Sequence, residues 1–109
     1  MRKPSPDIMA VVHLLPTEYG GRSVPTPSDR FGCLFDYKGE YFESILLLYD
    51  IGSIGPGAEK EVPILFLSPE VIKHRLKAGD VFRLWEGRTI AHGRVTKLLE
   101  NAAESTDAK

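Results

Sequence analysis

The sequence predicts an all-β fold, a small antiparallel barrel or sandwich. Its apolar residues come in short runs bounded by glycine and proline, rather than at the spacing of a helix. About six such runs alternate with turn-rich segments, as in small barrels and sandwiches. There is no internal repeat and no interdomain linker. We therefore expect a single domain over 8–100, with an N-terminal arm over 1–7 and a disordered tail over 101–109.

Three predicted strands lie in the first half of the chain. Residues 8–15 are apolar on both faces, which is typical of a buried strand. The runs 31–37 and 41–49 are rich in aromatic and branched side chains. The tripeptide KGE at 38–40 separates these two runs and has the composition of a tight hairpin turn.

The middle of the chain predicts one strand between two irregular segments. Residues 51–57 form a loop, and residues 61–67 form a strand in which Pro63 favours an edge or a bulge, because proline has no N–H for the ladder. Residues 68–78 begin with Ser-Pro-Glu, which could cap a short helix with proline in its first turn. The alternative is a loop that lies over one end of the barrel.

A hairpin closes the predicted fold. Residues 80–85 alternate as a strand, Glu86-Gly87 forms a two-residue turn, and residues 88–99 return. Gly93 within the returning strand indicates a bulge or a close approach of backbones. The alternation places one set of side chains on a common face, namely Ile90, His92, Arg94 and Thr96.

Charge and cysteine content exclude several classes of protein. Fourteen basic and fifteen acidic side chains give a formal net charge of −1, which does not indicate a strongly basic nucleic-acid-binding protein. Cys33 is the only cysteine, so an intrachain disulfide is excluded and a reducing compartment is favoured. No apolar stretch approaches the roughly 20 residues of a membrane helix, and the apolar run near the N-terminus is not followed by a signal-peptide cleavage site. We expect a cytoplasmic protein without a membrane partner.

The sequence contains no pattern typical of a catalytic or metal site. His13, His74 and His92 lack a second ligand at helical spacing, and no cysteine pair accompanies them. The glycine-rich loop 51–57 lacks the lysine and the following helix of a phosphate-binding loop. No serine lies in a nucleophile-elbow sequence. We expect no enzyme activity, no metal, no cofactor and no bound nucleotide.

Three segments together resemble a known family. They are VHLLPTEYGGRSVP at 12–25, PGAEKEVPILFLSP at 56–69 and VFRLWEGRTIAHGRVTKLL at 81–99. In this order they resemble the C-terminal barrel domain of elongation factor Tu, over almost the whole chain apart from its termini. The resemblance implies a six-stranded antiparallel β-barrel. The matching residues are Glu18 (one position early), Gly20, Gly21, Arg22, Pro25, Pro56, Gly57, Pro69, Arg88, Thr89, Ile90, Gly93, Val95, Lys97 and Leu98.

The resemblance also gives a role to the glycine-rich segment after the first strand. Gly20 and Gly21 would permit positive φ at a sharp corner, and the proline that follows would stiffen the exit from it. In the family this loop faces the GTPase domain. We therefore expect a partner-binding loop made of Tyr19, Gly20, Gly21 and Arg22, in which the aromatic side chain and the arginine are types favoured in interfaces. Arg22 has a second reading, as a residue of barrel geometry alone.

The departures from the family limit what is inherited. The sequence carries no GTPase domain and no second barrel, so GTP hydrolysis is not expected. A Tyr-Arg-Pro-Gln segment that contacts tRNA is replaced by SDRFGC at 28–33, and a basic residue of the family is replaced by Ser68. The glycine pair before Arg-Thr is reduced to Gly87.

Two functions remain as expectations. The first is a free-standing, non-enzymatic module that binds a protein partner. The alternative is a translation-linked accessory protein that binds tRNA or other RNA. The only local run of basic residues is KHRLK at 73–77, which is either a solvated face or a phosphate-contacting patch. The possible RNA-binding residues are Arg30, Lys73, His74, Arg75 and Lys77.

Overall fold

Six antiparallel strands form a closed barrel in the computed structural model, which describes residues 5–100. The order around the barrel is β1-β4-β3-β2-β5-β6. The predicted fold class is confirmed, and every predicted strand end lies within two residues of the observed one. The strands are β1 Ile8–Leu14, β2 Arg30–Tyr37, β3 Glu40–Leu47, β4 Glu59–Phe66, β5 Val81–Trp85 and β6 Thr89–Leu98.

The core lies inside the barrel because side chains alternate between its two faces. On β1, residues 8, 10, 12 and 14 are fully buried, whereas residues 9, 11 and 13 point outward and are partly or fully exposed. Three aromatic rings fill the centre. Phe35 stacks on Phe82 at 4.2 Å between centroids and meets Phe66 edge-on at 4.9 Å.

The hairpin between β2 and β3 is as tight as predicted. Its two-residue turn consists of Lys38, with φ 53°, and Gly39, with φ 86°. Two successive positive φ angles are those of a type I′ turn, which matches the twist of the paired strands. The Asp36 carboxylate accepts the Gly39 N–H at 3.1 Å. Glu40 already belongs to β3.

Of the two alternatives for residues 68–78, a short helix and a loop over the end of the barrel, the helix does not form. The segment makes two single 3₁₀ turns instead, Pro69–Val71 and Lys73–Arg75. Ile72 interrupts them with φ −131°, and its side chain is fully buried beneath the segment. Leu76 is buried in the same way. The alternative, a loop over one end of the barrel, describes this segment. Its two buried side chains anchor it to the core.

The connection of the last hairpin is one residue longer than predicted. Residues 86–88 link β5 to β6, and the Glu86 N–H donates to the Arg88 carbonyl at 2.8 Å. Trp85 therefore pairs with Thr89 rather than with the residue before it. The Gly87 φ of 74° explains why glycine is needed in this connection.

Two bulges on β6 change which side chains share a face, so the predicted faces of this strand are partly wrong. The register shifts opposite Leu84 and Trp85, which turns Ile90 into the core. A second shift, opposite Met9 and Ala10, falls at Thr96. His92, Arg94 and Thr96 point outward as predicted, but Ile90 does not share their face.

Gly93 itself lies within regular pairing, so the predicted bulge at this position is wrong. The close approach exists, but it involves a side chain. A Cβ atom at Gly93 would overlap the ring of Phe82, which lies across the strand on β5. Glycine is required here because the ring occupies the space of a side chain.

Pro63 is in an interior strand, because a closed barrel has no edge. The pairing of β3 with β4 ends at Ile64, so Pro63 lies one residue beyond the ladder on that side. On the other side it pairs with Met9 of β1. A local gap in the ladder therefore replaces the predicted edge or bulge.

The barrel has two different ends. The loop end carries the connections 15–29, 48–58 and 86–88, and the terminal end carries the turn 38–39 and the segment 67–80. Residues 5–7 and 99–100 also lie at the terminal end, where the Leu99 N–H donates to the Asp7 carbonyl at 2.9 Å.

Asp7 belongs to the barrel although it falls in the predicted N-terminal arm. Its side chain is fully buried, and its carboxylate accepts the Phe66 N–H at 2.8 Å. The other carboxylate oxygen lies 3.6 Å from the Lys73 ammonium. Its backbone N–H donates to Ile64. The predicted disordered tail over 101–109 lies outside the described residues.

Candidate functional site

The candidate partner-binding loop begins with one turn of 3₁₀ helix at the loop end. Thr17–Tyr19 forms this turn, and the Tyr19 N–H donates to the Pro16 carbonyl at 3.0 Å. The turn ends at Gly20, whose φ of 91° reverses the chain. The side chain of Tyr19 is 73% exposed, the largest exposure among the described large hydrophobic residues.

Gly21 has a different role from the one predicted. Only Gly20 of the pair has a positive φ. Gly21 is buried, and a Cβ atom there would overlap the carbonyl group of Leu15. Its N–H donates to the Pro16 carbonyl at 3.2 Å. The two glycines therefore make a reversal followed by a close backbone contact, which together fix the loop against the end of β1.

Arg22 is used within the fold. Its guanidinium donates to both carboxylate oxygens of Glu86, at 2.7 and 3.0 Å, and to the carbonyls of Val24 and Pro25. It also lies 4.9 Å from the ring centroid of Phe31, and only 18% of its side chain is exposed. These contacts are those of a residue that holds two loops together, the second of the two readings from the sequence.

Arg88 completes this attachment, and no local pattern pointed to it apart from the family resemblance. Its guanidinium donates to the carbonyls of Gly20 and Gly21. The last hairpin thus binds the glycine-rich loop at two points, through Glu86 and Arg88. We call this arrangement, with Arg22, Glu86 and Arg88 as its side chains, the arginine clasp.

Thr26 joins the 15–29 loop to the 48–58 loop of the same end, and sequence reasoning missed it. Its N–H donates to the Ile54 carbonyl at 3.0 Å, and its hydroxyl accepts the Ile54 N–H at 2.9 Å. Thr26 is 4% exposed and Ile54 is fully buried. The loop end is therefore a connected structure of three loops, from which Tyr19 projects.

The five possible RNA-binding residues do not form one patch. Arg30 begins β2 at the loop end, whereas the other four lie in the segment at the terminal end. Arg30 and Tyr37 lie at opposite ends of β2, seven positions or about 23 Å apart, and the terminal segment packs beside Tyr37. The set therefore divides between opposite ends of the barrel.

Two of the four basic residues at the terminal end already bind carboxylates. Arg75 donates to both oxygens of Glu40, at 3.0 and 3.2 Å, and this pair lowers the pKa of Glu40 and raises the pKa of Arg75. Lys73 lies against the buried Asp7. His74 and Lys77 remain exposed. The predicted patch thus has fewer cations facing solvent than its sequence suggests.

A tyrosine–aspartate pair holds the same segment to the barrel. The Tyr37 hydroxyl donates to Asp80 at 2.8 Å, and the same carboxylate oxygen accepts the Lys77 N–H at 3.0 Å. The hydrogen bond between the two side chains raises the pKa of Tyr37 and lowers the pKa of Asp80. The pair therefore stabilises the junction of β2, β5 and the 67–80 segment.

The thiol of Cys33 is poorly suited to nucleophilic chemistry. Burial raises the pKa of Cys33 to about 12, so the thiol stays protonated at neutral pH. Among residues 5–100, no group of three or more His, Cys, Asp or Glu side chains is placed to hold a metal ion. Over the same residues, no helix is long and apolar enough to cross a membrane.

The fold defines the class of this protein as a closed six-stranded antiparallel β-barrel with one end built from three linked loops. The sequence matches no model of a known protein family, and no curated protein is significantly similar to it.

Proposed function

We propose that this protein is a free-standing, non-enzymatic binding module that holds a protein partner at its loop end. Tyr19 is the anchor residue of the proposed interface. The module is similar in plan to the C-terminal barrel of elongation factor Tu without the GTPase domain.

The presentation of Tyr19 is the observation that carries this proposal. An aromatic side chain that is 73% exposed contributes a large apolar area when a partner covers it. Tyr19 stands on a short turn fixed by Gly20, by Gly21 and by the arginine clasp. A side chain held on such a fixed loop loses little conformational freedom on binding, which favours affinity.

The contacts of the loop end support the likeness to elongation factor Tu. Gly20, Gly21, Arg22 and Arg88 belong to the motifs that carry the resemblance, and they touch one another or share the clasp. Residues 64 to 68 positions apart, from the first and the last of the three motif segments, thus belong to one local structure. The number and direction of the strands agree with the likeness as well.

The alternative function, a translation-linked accessory protein that binds tRNA or other RNA, has less support at the residues predicted for it. Arg30 lies far from the remaining four, and Arg75 and Lys73 contact carboxylates. Counterion release would need several cations along one path of the nucleic acid. No observation on these five residues favours this function over a protein partner.

The experiment is a quantitative pull-down with Tyr19→Ala beside the parent protein. We expect Tyr19→Ala to lose at least about tenfold in the retention of its specific partner, because exposed aromatic anchors are typical hot spots. The matched control is Tyr41→Ala, which removes a tyrosine that is 52% exposed on the side of the barrel. This control should retain the partner.

Stability is checked first, because a binding loss has meaning only in a folded variant. Tyr19 packs against nothing in the core, so Tyr19→Ala should melt within about 2 °C of the parent. Equal retention of every specific partner by Tyr19→Ala, with melting like the parent, would contradict the proposed interface.

A further inference from the structure

A second surface lies on the side of the barrel, away from the loop end. Four side chains that can carry positive charge point outward from three consecutive strands. They are His13 on β1, His92 and Arg94 on β6, and Arg83 on β5. All four line one groove on the outer face. We call this set the cationic groove.

The register places these side chains in two rows. His13 pairs with His92, and His92 pairs with Arg83, so one row crosses all three strands. Arg94 lies in the next row, between Val11 and Val81. Directly opposed residues of antiparallel strands have Cβ atoms about 5 Å apart, and diagonal neighbours such as Arg83 and Arg94 about 7–8 Å. The long side chains of the two arginines can therefore reach a ligand bound over His92.

The groups of the cationic groove are free to bind. Within residues 5–100, none of the four forms a hydrogen bond or an ion pair. Arg22, Arg75 and Arg88, in contrast, all donate to carboxylates or carbonyls. The guanidinium groups of Arg83 and Arg94, which lie diagonally on neighbouring strands, are well suited to an anion and above all to the oxygens of phosphate.

Two carboxylates lie at the two ends of the first row and confine its positive charge to β1, β6 and β5. Glu59 of β4 pairs with His13, and Asp36 of β2 pairs with Arg83. Asp80, which also lines the groove, is hydrogen-bonded to Tyr37. The positive charge is thus concentrated around Arg83 and Arg94, which suits one or two phosphates rather than a long stretch of backbone.

An aromatic pair lies beside the groove. Trp85 follows Arg83 by two residues on the same outward face of β5, a distance of about 7 Å. Tyr41 lies against it, with 5.7 Å between ring centroids, and 52% of Tyr41 is exposed. Trp85 itself is half-buried. An exposed ring on a partly buried one, beside free arginines, is a pairing that suits single-stranded nucleic acids, with a base on the exposed ring and phosphates on the cations.

We infer that the cationic groove and the Tyr41–Trp85 pair form a binding site for single-stranded nucleic acid. Arg83 and Arg94 contact the phosphates, the two histidines add hydrogen bonds, and one base stacks on the aromatic pair. An acidic peptide would use the charges but leave the rings unused, so the rings decide between the two ligands. This site is separate from the loop end and does not depend on the function proposed for Tyr19.

The single tryptophan makes the inference directly measurable. Trp85 is the only tryptophan of the chain, so its fluorescence reports on this site alone. The probe is an oligouridylate of about ten nucleotides, titrated into the full chain at low salt. We expect quenching of the Trp85 emission. We also expect the logarithm of the affinity to fall with the logarithm of salt concentration at a slope of about −1.4, the value for two phosphates of a single strand.

Variants test the two parts of the site separately. Arg83→Gln with Arg94→Gln should lower the affinity at least about tenfold and flatten the salt dependence. Tyr41→Ala should lower it about fivefold or more, because it removes half of the stacking surface. The matched control is Arg30→Gln, which removes an exposed arginine outside the groove and should bind like the parent.

Several results would overturn the inference. One is the absence of quenching at low salt up to millimolar nucleotide. Another is equal binding by the double arginine variant, or an equal loss in Arg30→Gln. Displacement of the oligouridylate by oligoglutamate of the same charge would assign the groove to acidic peptides instead. Binding of an RNA duplex as tight as that of the single strand would exclude base stacking on Tyr41 and Trp85.

Discussion

Gly93 shows how a single backbone position controls the packing of the core. The Phe82 ring lies where a side chain at this position would project, and the same ring stacks on Phe35 at the centre of the barrel. The sequence indicated a special glycine in β6, but it could not show what approaches it. That information depends on the register of β5 against β6, and this register is shifted by a bulge at Ile90, three residues before Gly93.

We expect Gly93→Ala to destabilise the protein by about 1–3 kcal/mol, because the new methyl group forces the Phe82 ring out of its place. The matched control is Gly32→Ala on β2. A Cβ atom there meets only the Ser44 carbonyl oxygen, at 4.0 Å, so its cost should be small. The free energy of unfolding is measured by denaturant titration. Equal stability of the two variants would show that the ring moves freely.

The Tyr37–Asp80 hydrogen bond makes part of the stability depend on pH. The pKa of Asp80 is lower in the folded protein than in the unfolded chain, so the unfolded chain binds more protons at acidic pH. The stabilising contribution is therefore complete above the ordinary aspartate pKa of about 4 and is lost as the pH falls through the lower folded value.

Tyr37→Phe should remove this contribution by deleting the donor hydroxyl. The parent is expected to exceed the variant in free energy of unfolding by a constant amount between about pH 5 and pH 8, and the difference should shrink below about pH 4. Tyr41→Phe is the control, because its hydroxyl makes no hydrogen bond within the described residues. A Tyr37→Phe difference that does not change with acid would exclude the pair as its origin.

At the scale of elements, the strands could be predicted and the contacts between loops could not. The strands follow from alternation and from glycine-containing turns, which are local properties of the sequence. The arginine clasp joins Arg22 to Glu86, residues 64 positions apart, and no local pattern encodes such a partner. The sequence could not decide between a helix and a loop over 68–78 for a related reason: Ile72 and Leu76 turn toward a core that only the folded barrel provides.

The clasp can be measured with a double-mutant cycle. Arg22→Ala and Glu86→Ala should each destabilise the protein, and their coupling free energy should be about 0.5–1 kcal/mol, because the pair is partly exposed to solvent. Denaturant titration of the parent, both single variants and the double variant gives the coupling. Strictly additive effects of the two substitutions would mean that the ion pair contributes nothing to holding the loops together.

At the scale of the whole molecule, the same limits apply to the closure of the barrel. Six strands and their direction followed from the pattern and from the family resemblance, but β1 pairs with β4 and β6 rather than with β2, the strand that follows it in sequence. Asp7 stabilises this closure. It joins the start of β1 to β4 and β6 by hydrogen bonds and to the 67–80 segment through Lys73.

Asp7→Ala should therefore cost about 2–4 kcal/mol, because it leaves the Phe66 N–H buried without an acceptor and removes the buried carboxylate that lies 3.6 Å from the Lys73 ammonium. Asp7→Asn keeps an acceptor oxygen of nearly the same shape, so it should cost less. Thermal unfolding of the two variants beside the parent compares them. An Asp7→Ala protein as stable as Asp7→Asn would show that the hydrogen bond to β4 is not the main contribution.

The hydrogen bond between Leu99 and Asp7 also fixes how this barrel can be joined to other polypeptides. The chain enters and leaves the fold side by side, at the end opposite Tyr19. Because its two ends are adjacent, a barrel of this plan can be inserted into a surface loop of another protein, or joined to one by a flexible linker, without distorting either protein. In both arrangements the three linked loops face away from the carrier. The loop end then faces solvent, and a linker of almost any length leaves it uncovered.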